Sequence, residues 1–225
     1  MTGALDAGGV TPLAPRLLKG GIVEVDPETA RVLRVIALQY NPDTLTRTLQ
    51  VQTSGGEGGD RSQALRLKGA GIETIKLEAE IDATDRLEDP ASNPDTVTLG
   101  IHPQLAALES LVHPRADALQ TNDALAGSGV LEVLPLEAPL TLFVWSKQRI
   151  VPVRVTDLSV TEEAFDAALN PIRAKVSIGL RVLSVDDLGF RHRGGTLFMG
   201  YLRTKESLAA RARSADLAPL GIERI

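Results

Sequence analysis

The amino-acid sequence predicts a mainly β fold of the α+β class, a small β-barrel or sandwich with one flanking helix and a helical C-terminal tail. Stretches in both halves of the chain alternate apolar and polar residues, as strands with one buried face do. Residues 99–113 instead repeat apolar residues at helical spacing, and residues 200–225 have the composition of a helix. We therefore expect an N-terminal arm at residues 1–20, a β domain at 21–190 and the tail at 191–225.

The first part of the β domain contains two strands joined by a rigid corner. Residues 30–40 and 44–51 are rich in Val, Ile, Leu and Thr, and the second stretch alternates strictly. Between them lie Asn41, which favours turns through its side chain, and Pro42, which removes a backbone donor and restricts the preceding residue. The chain must therefore change direction at this Asn-Pro pair. A shorter strand at residues 21–25 precedes the corner.

A glycine-rich stretch at residues 53–63 interrupts the strands. Its small residues bury too little surface to hold regular structure, so we expect a mobile hairpin tip or flap. A phosphate-binding loop is not indicated, because no Gly-Lys-Ser/Thr follows and no helix pattern opens there. The glycines of this loop are Gly55, Gly56, Gly58 and Gly59.

A strand and two helices follow the glycine-rich loop. Residues 71–82 alternate, and their largely apolar set is expected to face the core. Residues 99–113 predict a helix with Thr98 as its N-cap and Pro103 in its first turn. Residues 114–129 favour a second, short helix closed by a Gly-rich turn. The core-facing set of the strand is Glu73, Ile75, Leu77, Ala79 and Ile81.

Three strands in succession complete the β domain. Pro152 in the second of them cannot donate to a ladder, so that strand needs a bulge or a free edge around it. A second Asn-Pro pair, Asn170 and Pro171, separates the last two strands. The polar alternates Arg154, Thr156, Lys175 and Ser177 are expected on a solvated face. The three strands cover residues 139–145, 148–165 and 171–185.

Composition excludes several classes of function. The net charge of −5 opposes a general nucleic-acid role, because phosphate binding needs a basic surface. The absence of cysteine excludes disulfides, thiolate zinc sites and cysteine nucleophiles. No apolar run approaches the roughly 18 residues of a membrane-spanning helix, and the start lacks the pattern of a signal peptide. We expect a cytoplasmic protein that neither binds nucleic acid nor inserts into a membrane.

No set of residues predicts catalysis, a cofactor or a metal site. His102 and His113 would lie about 16 Å apart on a continuous helix, too far to share an ion. The acidic turn Asp82–Asp89 lacks the spacing of a calcium loop, so a solvated turn is favoured. Trp145 offers a ligand platform, but a packing or interface role is favoured. Function is therefore to be sought in assembly.

Three stretches in sequence order resemble a known family, the tube-like baseplate proteins of contractile injection systems, relatives of phage tail tube and tube-initiator proteins. Residues 38–52 resemble its early strand, Asn-Pro corner and second strand. Residues 75–90 are similar to its strand that ends in an Asp-rich turn. Residues 142–182 resemble its closing segment, with a Trp-ended strand, a long strand to a Phe and a Pro-x-Arg-Ala start of the last strand.

This resemblance implies a structural, non-enzymatic subunit. In the family, six copies of a tail-tube-like β-barrel form a ring whose inner strands line a channel, and hub or tube-initiator members sit between the spike and the inner tube. The implied partners are further copies of the chain in a homohexamer, a trimeric spike protein, an inner-tube subunit or second initiator, and other baseplate proteins. Many members carry a peptidoglycan-binding LysM module, for which the sequence shows no counterpart, so a cell-wall role is not implied.

The resemblance and the two corners together assign interface residues rather than catalytic ones. Two alternatives remain open: a main inner-tube subunit, and a β-barrel carbohydrate-binding module or enzyme that uses Trp145 and the Asp82–Asp89 turn. Besides the four loop glycines, the expected interface residues are Tyr40, Asn41, Pro42, Trp145, Pro152, Asn170, Pro171, Arg173, Tyr201 and Arg203.

Overall fold

In the part of the chain that the structure describes, seven antiparallel strands form one continuous sheet in the order β2–β1–β5–β6–β7–β4–β3. The computed structural model describes residues 17–53, 66–127, 138–212 and 217–222. The predicted mainly β, α+β class is confirmed. The strands are β1 Gly21–Val25, β2 Val32–Ala37, β3 Leu45–Gln50, β4 Ile72–Asp82, β5 Leu140–Ser146, β6 Arg149–Phe165 and β7 Pro171–Val182.

The long strand β6 belongs to two layers. Its first residues pair with β5, the last of these pairs being Leu142 with Pro152, and its remainder pairs with β7 from Val153 onward. We call the layer β2–β1–β5 with the start of β6 the short sheet. The layer β6–β7–β4–β3, in which β6 begins at Val153, is the long sheet.

The core lies between the two sheets. On β4, Ile75, Leu77, Ala79 and Ile81 are all buried, as their alternation predicts. β7 adds a second apolar row, and the short sheet closes the core from the other side. The apolar partners from these strands are Ala174, Val176, Ile178, Leu180, Ile22, Phe143 and Val151.

Six helices and one 3-10 helix flank the sheet in the described part of the chain. The predicted N-cap at Thr98 is wrong, because Thr98 lies inside a helix and its hydroxyl donates to the carbonyl of Pro94. The single predicted helix is broken at Gly100, which has φ +57°. The elements are α1 Thr84–Leu87, α2 Pro94–Leu99, α3 His102–Glu109, α4 Ala116–Gly127, α5 Val185–Leu188, α6 Arg193–Arg211 and the 3-10 helix Ala218–Leu220.

The break at Gly100 fits a close contact with the second Asn-Pro corner. A Cβ at this position would lie 2.2 Å from the carbonyl oxygen of Pro171, and the φ angle favours glycine independently. The same carbonyl accepts a hydrogen bond of 2.8 Å from the amide of Ile101. Helix α3 then still places Leu105 and Leu108 in the core.

The C-terminal helix α6 packs onto its own sheet. His192 caps it, since the ring Nδ1 accepts a hydrogen bond of 3.1 Å from the amide of Gly194. Phe198 and Tyr201 are buried in the core, whereas Leu208 is 45% exposed. Within the described residues, no helix is both long and apolar enough to cross a membrane.

Candidate assembly interface

The long sheet has two open edges within the described residues. β3 pairs with β4 on one side only. β6 pairs with β7, but from Arg154 to Phe165 no strand in the described ranges pairs with its other side. An unpaired strand edge presents a row of N–H and C=O groups that can pair with another chain. The long sheet therefore has the means to continue into neighbouring copies at both margins.

The directions of the four strands suit such a continuation. All pairings within the long sheet are antiparallel, so β6 and β4 run one way while β7 and β3 run the other. The β3 edge of one copy would meet the β6 edge of the next in antiparallel orientation, which extends the same alternation. This contact joins two different surfaces, and such heterologous contacts generate rings or filaments.

The outer face of the long sheet is polar. Arg154, Thr156, Lys175 and Ser177 are exposed, as the sequence predicts. Lys175 forms an ion pair of 2.8 Å with Glu163, which raises the pKa of the lysine above its usual value. One face of this sheet is therefore suited to water and the other to the core.

Arg173, at one end of this polar face, is paired within the chain. Its Nε lies 2.8 Å from the Asp82 carboxylate. Hydrogen bonds from Thr84 and then Arg173 hold the pKa of Asp82 below its usual range, although desolvation opposes this. Asp82 is thus occupied by protein groups, and the described residues contain no group of three or more metal-ligating side chains.

The first Asn-Pro corner ties the start of the β domain to the sheet. The side-chain oxygen of Asn41 accepts a hydrogen bond of 2.8 Å from the Gly20 amide, and its Nδ2 donates to the Leu18 carbonyl at 2.7 Å. Pro42 is partly buried, and Tyr40 is 46% exposed. Asn41 therefore clamps the entry to β1 as well as turning the chain.

The second Asn-Pro pair forms the tip of the β6–β7 hairpin. The Asp166 carboxylate accepts from both the amide and the side chain of Asn170, each at 2.8 Å, which lowers the pKa of Asp166. Asn170 also donates to the Thr98 carbonyl at 3.2 Å. Pro171 is fully buried, whereas Leu169 at the tip is 77% exposed. We call this side of the long sheet the hairpin end.

Trp145 and Pro152 are both used inside the chain. The Trp145 ring stacks on Phe143 with 5.9 Å between centroids and lies against Gly20, where a Cβ would come within 2.6 Å of the ring. Pro152 is fully buried without a bulge at its own position. Its carbonyl accepts from the Leu183 amide beyond the end of β7, and the N and C=O of one residue face the same side, so its missing donor takes no bond from the ladder with β5.

A buried carboxylate, Glu73, joins α6 to the β3 edge, and sequence reasoning missed its partners. The side chain is 3% exposed and receives Arg47 Nε at 2.6 Å and Lys205 Nζ at 2.7 Å. Tyr201 donates its hydroxyl to the same carboxylate at 3.1 Å. Burial alone would raise the pKa of Glu73, but the hydrogen bonds and charges of Arg47 and Lys205 outweigh it and hold the pKa below its usual value.

The remaining predicted interface residues occupy different environments. Arg203 is exposed on α6, two residues after the buried Tyr201. Gly55, Gly56, Gly58 and Gly59 lie outside the described residues, as does most of the predicted N-terminal arm. The structure thus brings the two corners close to opposite margins of the hairpin end, but it does not gather all predicted residues on one surface.

The two ends of the long sheet differ in charge. Among the described residues at the hairpin end, ten are acidic and three, Arg86, Arg173 and Lys175, are basic. The opposite end, which we call the loop end, includes among its described residues the basic Arg66, Lys68, Arg181 and Lys205 and the acidic Asp186, Asp187 and buried Glu73. The acidic residues of the hairpin end are Asp43, Glu80, Asp82, Asp85, Glu88, Asp89, Asp95, Glu162, Glu163 and Asp166.

Each end also exposes large apolar side chains. At the hairpin end, Phe165 is 49% and Leu169 77% exposed. At the loop end, Leu67 is 71% exposed. An apolar centre within a charged surround is the usual anatomy of a protein contact surface. Both ends therefore have the character of stacking surfaces.

Comparison with known proteins adds little to this geometry. No protein-family model matches the chain, and no curated protein does. Two solved structures are similar in part: "Tail of empty GTA particle computed with helical refinement, C6 symmetry", at 11% identity and a TM-score of 0.29, covers 73% of this chain and 90% of its own. "Virion of native gene transfer agent (GTA) particle", at 11% identity and a TM-score of 0.27, covers 72% and 90%. Likenesses at this level establish neither a common fold nor a common function.

Proposed function

We propose that this chain is a structural, non-enzymatic subunit that closes into a ring and serves as the baseplate hub or tube initiator of a contractile injection system. The observation that carries the proposal is the long sheet, which has one polar face and one core face. Its two open edges, β3 and β6, run in opposite directions. Pairing of β3 with β6 of the next copy satisfies both edges at once, and only a closed ring leaves none unpaired.

In such a ring the polar face of the long sheet lines a channel. The short sheet and helices cover the core face, so the outward side of the ring consists of them and the solvent-facing side chains they carry. The ring is a homohexamer by resemblance to the family. The interface residues from the sequence, among them the exposed Tyr40 and Arg203 and the half-buried Arg173, belong to contacts between copies or between rings.

The two ends of the ring take different partners in this proposal. The acidic, apolar hairpin end suits a basic contact surface, and the loop end suits an acidic one. A hub with such ends joins a trimeric spike on one side to the first inner-tube ring on the other. The ring presents ordered edges and loops, so the first tube ring assembles against a preformed template and loses less conformational entropy on binding.

A second candidate is the main inner-tube subunit, and one observation favours it. The hairpin end and the loop end of the same chain are complementary in charge and both carry apolar centres. Complementary ends on one ring suit repeated stacking of identical rings, which builds a tube instead of a single layer.

Electron microscopy and light scattering of the purified chain test both candidates. A hub gives rings of uniform size that stay single and bind spike and tube subunits. A main tube subunit gives long tubes, which shorten as salt is raised because charge attraction between ends is screened. A chain that stays monomeric at every concentration up to the millimolar range, alone and with spike and tube subunits, contradicts the proposal.

A further inference from the structure

We infer that the contact between neighbouring copies has one register, in which Arg47 of β3 faces Glu162 of β6 in the next copy. Leu49 then faces Val160, and Val51 faces Leu158. This inference rests on the proposed ring and adds to it the residues that meet. Along antiparallel strands without a bulge, the residue numbers of directly opposed pairs add to a constant. β6 has no register shift between Asp157 and Glu162, so one pair fixes the others over this stretch.

Side chains alternate between the two faces of the sheet, so β3 and β6 of neighbouring copies can pair only in registers that differ by an even number of residues. On β3, Leu45 lies opposite the buried Leu77, so Leu45, Arg47 and Leu49 share the core side. On β6, Leu158 and Val160 lie opposite the buried Ile178 and Val176, so they and Glu162 share that side too. A shift by a single residue would turn one strand's apolar set toward the polar face.

Exposed apolar side chains on the β3 edge need such a partner. Leu49, on the core side of β3, is 55% exposed, and Val51, which directly follows the strand, is 63% exposed. On the other margin, Leu158 and Val160 are only partly buried in the described structure. In the inferred register these four residues form two apolar pairs, as cross-strand pairs commonly do.

A groove beside the β6 edge receives the end of β3. It has a volume of about 1060 Å³ and is lined by Leu33, Leu111, Val112, Val155 and Leu158 among others. Val51 of the neighbour, placed opposite Leu158 on the core side, points into the mouth of this groove. The occupant in this inference is a second copy of this chain, because the β6 residues Val155 and Leu158 belong both to the groove lining and to the open strand edge.

Charge and polarity agree with the same register. Arg47 uses Nε and Nη2 for Glu73 and Tyr201 among the described residues, and we assign its Nη1 to the carboxylate of Glu162 in the next copy. On the polar face the register sets Thr48 opposite Thr161, a hydroxyl pair that can hydrogen-bond across the strands. An ion pair on one face and a hydroxyl pair on the other follow from one alignment.

Closure of a barrel also requires a stagger between copies. Within one chain, Arg47 lies level with Leu180 of β7, through Ile75. The inferred register brings Arg47 opposite Glu162 and so level with Ala174, the β7 partner of Glu162, a stagger of about six residues along β7. At about 3.3 Å per residue over four strands about 4.8 Å apart, this stagger tilts the strands by about 45°. Closed barrels have tilts of roughly 35–45°. If neighbouring copies paired without a stagger, the strands would have no tilt and the barrel could not close.

Disulfide trapping tests the register directly, because the chain has no cysteine of its own. The test variant is Leu49→Cys with Val160→Cys. Within one chain these positions lie three strand spacings apart, about 14 Å across the sheet, and are further offset along the strands, which is beyond disulfide reach. Any bond must therefore join two copies, and mild oxidation is expected to give a ladder of covalent oligomers on a non-reducing gel.

Two matched variants fix the face and the register. Leu49→Cys with Thr161→Cys places the second thiol on the opposite face, and Leu49→Cys with Leu158→Cys shifts it by two residues; both are expected to stay at least tenfold less cross-linked. A ladder from the Leu158 variant in place of the Val160 variant overturns the register. Rings without any ladder overturn the inferred contact but leave the ring itself standing, and a chain that forms no rings defeats both.

Discussion

The buried carboxylate of Glu73 gives a sharp test of how the C-terminal helix is held. Substituting Glu73→Gln keeps the shape of the side chain but removes the charge that Arg47 and Lys205 contact at 2.6 and 2.7 Å. Breaking a buried ion pair from one side costs about 3–5 kcal/mol. Because Arg47 and Lys205 are themselves 25% and 33% exposed and can recover water, we expect the lower figure, about 3 kcal/mol.

Denaturant unfolding followed by circular dichroism, at one fixed protein concentration, measures this loss. Over a domain of this size, about 3 kcal/mol corresponds to a fall in Tm of roughly 6–12 °C. Glu78→Gln is the matched control, since Glu78 lies on the exposed face of the same strand and its loss should change the free energy of unfolding by less than about 0.5 kcal/mol. If Glu73→Gln also changes the free energy of unfolding by less than about 0.5 kcal/mol, the Glu73 cluster does not anchor α6.

Three further predictions follow from single contacts. The pKa of Glu73 is lowered in the folded state, so the stabilisation by its carboxylate is complete above the unfolded-state pKa of about 4.3 and is lost as pH falls through the lower folded value. On acidification the wild type should therefore lose more stability than Glu73→Gln, which the urea midpoint measured against pH would show. Gly100→Ala should lower the free energy of unfolding by about 2 kcal/mol or more, because its Cβ would meet a carbonyl oxygen at 2.2 Å and φ is +57°. Gly200→Ala on helix α6, with open space around the new Cβ, should raise the free energy of unfolding by about 0.5–1 kcal/mol. Changes of the same sign in both variants would contradict the strain argument. Asn41→Ala should speed hydrogen exchange of the Gly20 amide with β4 still protected, and unchanged exchange there would show that Asn41 is not a clamp.

Local patterns were sufficient to predict the strands. The alternation around Ile75 and Leu77 and the turn chemistry of Asn41 and Pro42 depend only on nearby residues, and the structure places β4 and the corner where these patterns indicate. The interruption at Gly100 could not be found in this way. It depends on a contact with Pro171, a residue distant in sequence, and a lone glycine within a helical pattern is usually tolerated.

The Glu73 cluster shows the same limit for charged residues. A carboxylate on the core-facing set of a strand is compatible with burial only when cations reach it, and those cations come from positions 26 and 132 residues away. The alternation identified the face of Glu73, but no local signal named Arg47 or Lys205. In the same way, the residues near Tyr201 in the sequence do not indicate whether its side chain is buried within its own chain, as the structure shows, or in a contact with another copy.

Strand β6 has a mechanical consequence. Its 17 residues run without interruption from the short sheet into the margin of the long sheet, so one length of backbone crosses the whole subunit. A neighbouring copy that pulled along the open edge of β6 would apply tension parallel to the strand. That tension would have to break the hydrogen bonds between β6 and β7 together instead of one after another. A ring made of such subunits would resist stretching along each joint, although the six residues of β3 give a joint fewer strand pairs than β6 and β7 share within a subunit.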